Sequence, residues 1–367
     1  MREIISFLSW RSWRLVKLKL KLLRHKKINR PSLIFLTLLT FLIFAFLLDL
    51  AFGSVDIPLK QVLIILLGGE PEKATWTNII LKFRLPKAIT ATLAGVALSL
   101  SGLQMQTLFR NPLAGPFVLG ISSGASLGVA LVVLTASASG AGVMFKSLGI
   151  IGDLTLVMAA SLGAGLTLGL VLVVARRVQD TMQLLILGLL FGYATSALVS
   201  ILLQFSETNN IQTYIQWTFG SFSGVTWTQI LVLAPVVVLG LVIAILLSKP
   251  LNALLLGESY ASTLGLAVQP TRFWLITSAS ILAGAITAFC GPIAFLGVSV
   301  PHLCRSLFHT SDHRVLVPAV IIMGGILALI ADLVSQLPGS QLVLPLNSVT
   351  ALIGTPVVSW LILRRRY

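Results

Sequence analysis

Charge is scarce in this sequence: 10% of its 367 residues are Asp, Glu, Lys or Arg, against roughly 25% in a soluble domain. With a mean hydropathy of +0.99, too little polar surface remains to keep a globule in water. Cysteine is nearly absent. Cys290 and Cys304, both in apolar runs, exclude a disulfide scaffold and a thiolate metal cluster and read as small apolar fillers. Acidic residues number 11 against 26 basic ones, but the excess is spread between apolar runs rather than gathered on one face, which argues against nucleic acid as a partner. No G-x-x-x-x-G-K-[ST] occurs, and the dipeptide Gly-Lys is missing altogether, so the chain cannot cradle a nucleotide in a phosphate loop. There is no H-E-x-x-H and no Ser, His and Asp set at one depth. The expectation is a protein that is not an enzyme, with no catalytic residues, no metal ligands and no cofactor.

Apolar sequence is what the chain has in abundance. Hydrophobic residues make up 56% of it, and at about 20 residues per crossing that is material for about ten membrane spans. Charge-free runs mark them: Pro31 to Leu48, Ala88 to Phe109, Asn111 to Phe145, Leu154 to Ala175, Thr181 to Ser206, Thr208 to Ser248, Phe273 to Cys304, Val315 to Ala331 and Leu333 to Leu363. Gly291-Pro292 divides the seventh run into two helices. Ten of the Lys and Arg residues lie in the first thirty positions, opposed only by Glu3, which places that segment in the cytoplasm. Alternation from there leaves 20 cations inside and 6 outside (Lys60, Lys73, Lys82, Arg84, Lys87 and Lys146). The fold class expected is an all-α polytopic membrane protein of about ten helices with both termini cytoplasmic. Residues 1–30 form a basic N-terminal segment, either a solvated tail or a helix on anionic headgroups, and 31–367 form one membrane domain.

Small residues recur from Gly95 to Gly128, as where helix backbones approach closely in lipid. Arg110 to Pro116 reads as a tight cytoplasmic loop. The inside segment from Lys249 to Arg272 reads as short amphipathic helices, with Leu254, Ala261 and Leu264 near one face. It carries little charge for a helix resting on lipid, which favours docking to another protein. His302, His309 and His313 beside Asp312 read as structural rather than metal-binding. Asp49, Asp153, Asp180 and Asp332 all fall at span ends, whereas a secondary, ion-coupled transporter, the alternative reading, usually carries carboxylates within its spans as relays.

The segments RLPKAITATLAGVALSLSG (Arg84 to Gly102), QTLFRNPLAGPFVLGISSGASLG (Gln106 to Gly128), LNALLLGESYASTLGL (Leu251 to Leu266), GPIAFLGVSVPHLCRSLFHTSDHR (Gly291 to Arg314) and LPLNSVTALIGTPVVSWLILRRR (Leu344 to Arg366) together resemble the permease subunit of type II ABC importers, which move ferric siderophores, haem and cobalamin. The resemblance covers about residues 33 to 366 in order. It implies a homodimer in the cell inner membrane, two cytoplasmic ATPase subunits, a periplasmic or tethered substrate-binding protein, and alternating access driven by ATP hydrolysed outside this chain.

The resemblance also implies site residues. Leu251, Asn252, Leu254, Gly257, Glu258, Ala261, Leu264 and Gly265 match the coupling helices that seat in a cleft of the ATPase. Arg84 and Lys87 match the paired cations of R-L-P-R that meet acidic residues of the binding protein; the second is Lys here, which keeps the charge but lacks the guanidinium fork. Gln336 stands where some relatives carry a third docking Arg. The fifth and tenth spans would wall the pathway, through Gly192, Ser196, Ser200, Asn347 and Thr350. Nothing in the residues themselves reads out which chelate is carried.

Overall fold

A computed structural model describes residues 30–134, 152–178, 180–337 and 342–364. The expected headgroup helix or tail at 1–29, and Lys146, lie outside the described residues. By contacts the chain divides into Met1–Phe41 and Leu42–Tyr367. In the first unit the described residues are helical, and the Thr37 and Thr40 hydroxyls donate to the carbonyls four residues earlier at 2.9 Å. This satisfies polar side chains in an apolar helix without a partner. Everything below concerns the second unit.

Every regular element among the described residues is helical. In chain order they are α1 (Arg30–Ala51), α2 (Leu59–Leu66), α3 (Ala74–Asn78), which continues through a π-helical stretch Ile79–Arg84 into α4 (Leu85–Leu108), α5 (Ile121–Leu134), α6 (Gly152–Arg177), α7 (Thr181–Gln204), α8 (Thr208–Thr218), α9 (Trp227–Leu246), α10 (Ser248–Leu254), α11 (Glu258–Thr263), α12 (Val268–Cys290), α13 (Leu296–Phe308), α14 (His313–Ser335) and α15 (Leu346–Arg364). Among the described residues seven helices are long and apolar enough to cross a membrane: Pro31–Ala51, Ala74–Leu108, Leu154–Arg177, Thr181–Gln204, Trp227–Leu246, Val268–Cys290 and His313–Ser335. The other three spans expected from the sequence fall on α5, α13 and α15, of 14, 13 and 19 residues. The polar half of the run from Thr208 is a separate helix, α8, α2 precedes the second span and α3 forms its first turn; charge-free runs could not reveal any of these.

Local chemistry sets the boundaries. Asp180 Oδ1 accepts from the Met182 N–H at 3.0 Å and Asp312 Oδ1 from the Arg314 N–H at 2.9 Å, capping α7 and α14. Gly291, at φ 75°, ends α12. Buried Leu98, Leu100, Leu103 and Met105 put α4 at the centre of the core. It lies against α14, where Gly95 faces Gly324 so closely that a Cβ on either would run into the other's carbonyl. Lipid supplies no hydrophobic drive between helices, so dispersion at such close approach must hold the pair.

Candidate coupling and translocation site

The functional residues read from the sequence sort to two ends of the helix bundle and a cavity between them. At one end lies the segment α10–α11. Leu251, Leu254 and Ala261 are buried in the core. Leu264 is not: it is 61% exposed, which corrects the expected single apolar face. The reason is local. Gly257 at φ 102° breaks the helix between Leu254 and Ala261, and Gly265 at φ 86° ends it, so no 3.6-residue period runs through the segment. Leu266 packs against the core, while Leu256, Tyr260 and Leu264 remain exposed.

Two polar clamps fix this segment. Asn252 Oδ1 accepts from the His313 backbone N–H and lies opposite His313 Nδ1, both at 2.8 Å, while its Nδ2 donates to Asp312 Oδ1 at 2.6 Å. His313 is fully buried and its Nε2 lies 2.9 Å from Thr107 Oγ1, in the last turn of α4. The Arg314 N–H, and after it the Asn252 amide, hold the Asp312 carboxyl below the usual carboxylate range. In the second clamp Glu258 receives both its bonds from Arg272 Nη2, at 2.9 and 2.8 Å, and Arg272 Nη1 donates to the Val178 carbonyl at 2.9 Å. Gly257 lies beside Arg110: a Cβ there would sit 3.3 Å from the guanidinium. Of the suspected His cluster, His302 meets the Pro112 carbonyl at 2.8 Å and His313 meets Asn252; among the described residues no His, Cys, Asp and Glu group could hold a metal.

The opposite end holds Arg84 and Lys87, and both side chains are buried. That differs from the exposed cations the sequence suggested. Arg84 donates to the carbonyls of Leu50 and Ala51 at 2.8 and 2.7 Å, and to that of Val55. The Leu50 and Ala51 carbonyls end α1 and have no partner further along the helix, and Val55 lies in the turn that follows it. Lys87 Nζ lies 2.7 Å from Asp332 Oδ2 and 3.9 Å from Asp49 Oδ1. Gln336 Nε2 donates to the same Asp332 oxygen at 2.7 Å. A cavity of about 390 Å³ opens here, lined by Lys87, Asp332, Gln336, Ser54 and Gln216 among others.

Between the ends, a cavity of about 300 Å³ is lined by Ser196 of α7 and Asn347 of α15 together with Ser122, Ser123, Ser126 and Tyr214. The sequence reading missed the three serines because hydroxyls in a glycine-rich helix look like packing residues, and Tyr214 because it lies on a separate short helix, α8. Ser126 Oγ and Tyr214 OH are 2.5 Å apart, and burial pushes the Tyr214 phenol above its ordinary value. Gly192 borders this wall: a Cβ there would lie 3.4 Å from Ser123 Oγ. Asn347 Oδ1 accepts from the Ala294 N–H at 3.0 Å. Two further expected wall residues turn elsewhere. Thr350 is buried and donates to the Asn347 carbonyl, and Ser200 donates to the Ser196 carbonyl one turn back.

Among the described residues, then, the structure is a bundle of helices, seven of them long and apolar enough to cross a membrane, which is the class of a polytopic membrane protein. The pattern of the FecCD transport family matches residues 41–364, and the chain belongs to that family of type II ABC importer permeases. It is 38% identical over 323 residues to the vitamin B12 import system permease protein BtuC of Klebsiella pneumoniae, covering 86% of this chain and 93% of that one. It is 31% identical over 335 residues to an ABC transporter permease, YvrB, of Bacillus subtilis, covering 89% and 92%. Among solved structures, a metal-chelate type ABC transporter in an inward-facing conformation superposes with a TM-score of 0.79 at 27% identity, covering 91% of this chain and 99% of that one. Family membership displaces the ion-coupled alternative.

Proposed function

We propose that this chain is the membrane-spanning half of a homodimeric importer in the cell inner membrane that carries a cobalamin or an iron chelate, ferric siderophore or haem, toward the cytoplasm. Two cytoplasmic ATPases drive it and a periplasmic or tethered binding protein loads it. The observation that carries the reading is the α10–α11 segment: buried through Leu251, Leu254 and Ala261, tied down at Asn252 and Glu258, and exposing Leu256, Tyr260 and Leu264 as an uncovered apolar face. ATP binding would close the ATPase pair and move this segment, and the two bundles would rock so that the pathway opens to one side at a time. A ligand shifts such an equilibrium only by its difference in affinity for the two states.

At the opposite end, an acidic side chain of the binding protein reaching into the cavity beside Lys87 would compete with Asp332 for the ammonium. The wall at Gly192, Ser196 and Asn347, with Ser122, Ser126 and Tyr214, would line the path. The test is reconstitution with the ATPase and binding protein encoded beside this gene. ATP-dependent uptake of labelled cobalamin, ferric siderophore or haem supports the reading. Uptake that follows an ion gradient without ATP defeats it.

A further inference from the structure

We propose that His313 is a positioning residue, the joint through which displacement of the α10–α11 segment is handed to a rigid strut made of α4 and α14. This rests on the coupling reading of that segment given above. Three features carry it. First, His313 bonds on both ring nitrogens to different elements: Nδ1 to Asn252 of α10 and Nε2 to Thr107 of α4, each within 2.9 Å, while its own backbone starts α14. The tautomer with hydrogen on Nδ1 suits Asn252, and it draws on the single Thr107 hydroxyl hydrogen, for which the Leu103 carbonyl at 2.9 Å competes. Asn252 Oδ1 can only accept, its Nδ2 being committed to Asp312, and Nε2 then accepts from the Thr107 hydroxyl. Second, α4 and α14 run antiparallel, are locked in mid-span at Gly95 and Gly324, and are joined at their far ends by Lys87 and Asp332. Third, that far junction lines the outer cavity. A push on Asn252 is therefore applied to both helices at once, and the Lys87–Asp332 junction ties them together again at the far side. Contiguity alone does not establish energetic coupling, so the test must measure it.

The variants are Asn252→Ala, Thr107→Val, which keeps the side-chain shape, and Thr107→Ser, which keeps the hydroxyl. Each is reconstituted with its ATPase and binding protein. Three readouts are taken: co-purification of the ATPase, stimulation of hydrolysis by the binding protein, and substrate moved per ATP. The expectation is normal co-purification for Thr107→Val and Thr107→Ser, with stimulation and transport per ATP, normalised to the ATPase retained, reduced about tenfold in Asn252→Ala and Thr107→Val, within the usual span of coupling effects. Thr107→Ser should behave as wild type, and the Asn252→Ala and Thr107→Val double variant should be no worse than either single one. Wild-type stoichiometry in both Asn252→Ala and Thr107→Val overturns the joint while leaving the coupling segment intact. Failure of the wild-type chain to retain the ATPase defeats the coupling reading itself, and the joint with it. If Thr107→Val does not assemble, Asn252→Ala alone decides.

Discussion

The Lys87 ammonium lies 2.7 Å from Asp332 Oδ2, joining the start of α4 to the end of α14 across 245 residues of chain. Both groups are buried, with Asp49 as a second carboxylate 3.9 Å from the same nitrogen. Breaking a buried pair by removing one partner strands the other, at a cost of about 3–5 kcal/mol. Lys87→Met and Asp332→Leu should each lower stability by an amount of that order, and the double variant by clearly less than the sum. Denaturant or thermal unfolding in detergent measures the cycle; strict additivity would mean that the pair is not coupled.

Docking at that end should respond to Gln336, which borders the cavity without carrying charge. Gln336→Lys should tighten binding-protein association by about 0–1 kcal/mol, and Gln336→Glu should weaken it similarly, both effects fading as salt rises. Titration of immobilised permease at low and high ionic strength reads this. Equal affinity for the two variants at low salt would remove electrostatics from the docking face.

The exposed Tyr260 and Leu264 should matter to the partner and not to the fold. Replacing both with Ala should leave membrane insertion unchanged and weaken ATPase capture by about tenfold or more, as aromatic anchors do at interfaces. Pull-down of the ATPase against detergent-solubilised permease is the assay, and unaltered capture would move the contact elsewhere.

Gly95→Val should separate α4 from α14 and destabilise the protein by about 1–3 kcal/mol or more, the cost of overpacking a filled interior. Gly165, beside which a Cβ would meet nothing within 4 Å, is the control. There Ala should be neutral or stabilising by up to about 1 kcal/mol. Melting temperatures of the two variants make the comparison.

The long helices were readable because the bilayer demands runs of uncharged residues, and Lys249 to Arg272 stood out as a long polar-flanked loop between two of them. Leu264 was misread because a helical wheel assumes one continuous helix, and the left-handed turns at Gly257 and Gly265 interrupt it. Lys87 read as an outside cation because its partners, Asp49 and Asp332, are 38 and 245 residues away; sequence spacing says nothing of which span ends meet. The cavity hydroxyls of Ser122, Ser126 and Tyr214 carry no periodic or charge signal at all. Of the residues the resemblance implied, Asn347 and Ser196 border the cavity between the two ends, and Thr350 turns its hydroxyl back to its own helix.

The helical stretch from Ala74 to Leu108 runs 35 residues, through π-helical turns at Ile79–Arg84, roughly 50 Å at the usual rise, against a hydrocarbon layer about 30 Å deep. A rod of that reach exceeds the hydrocarbon depth and turns small angles into large arcs: a tilt of about 5° moves one end by roughly 4 Å relative to the other. Trp76 and the cation above it, Lys73 at 5.2 Å from the ring centroid, ride on one end. A tilt that small would carry the buried Trp76 and its cation sideways relative to the far end of the helix.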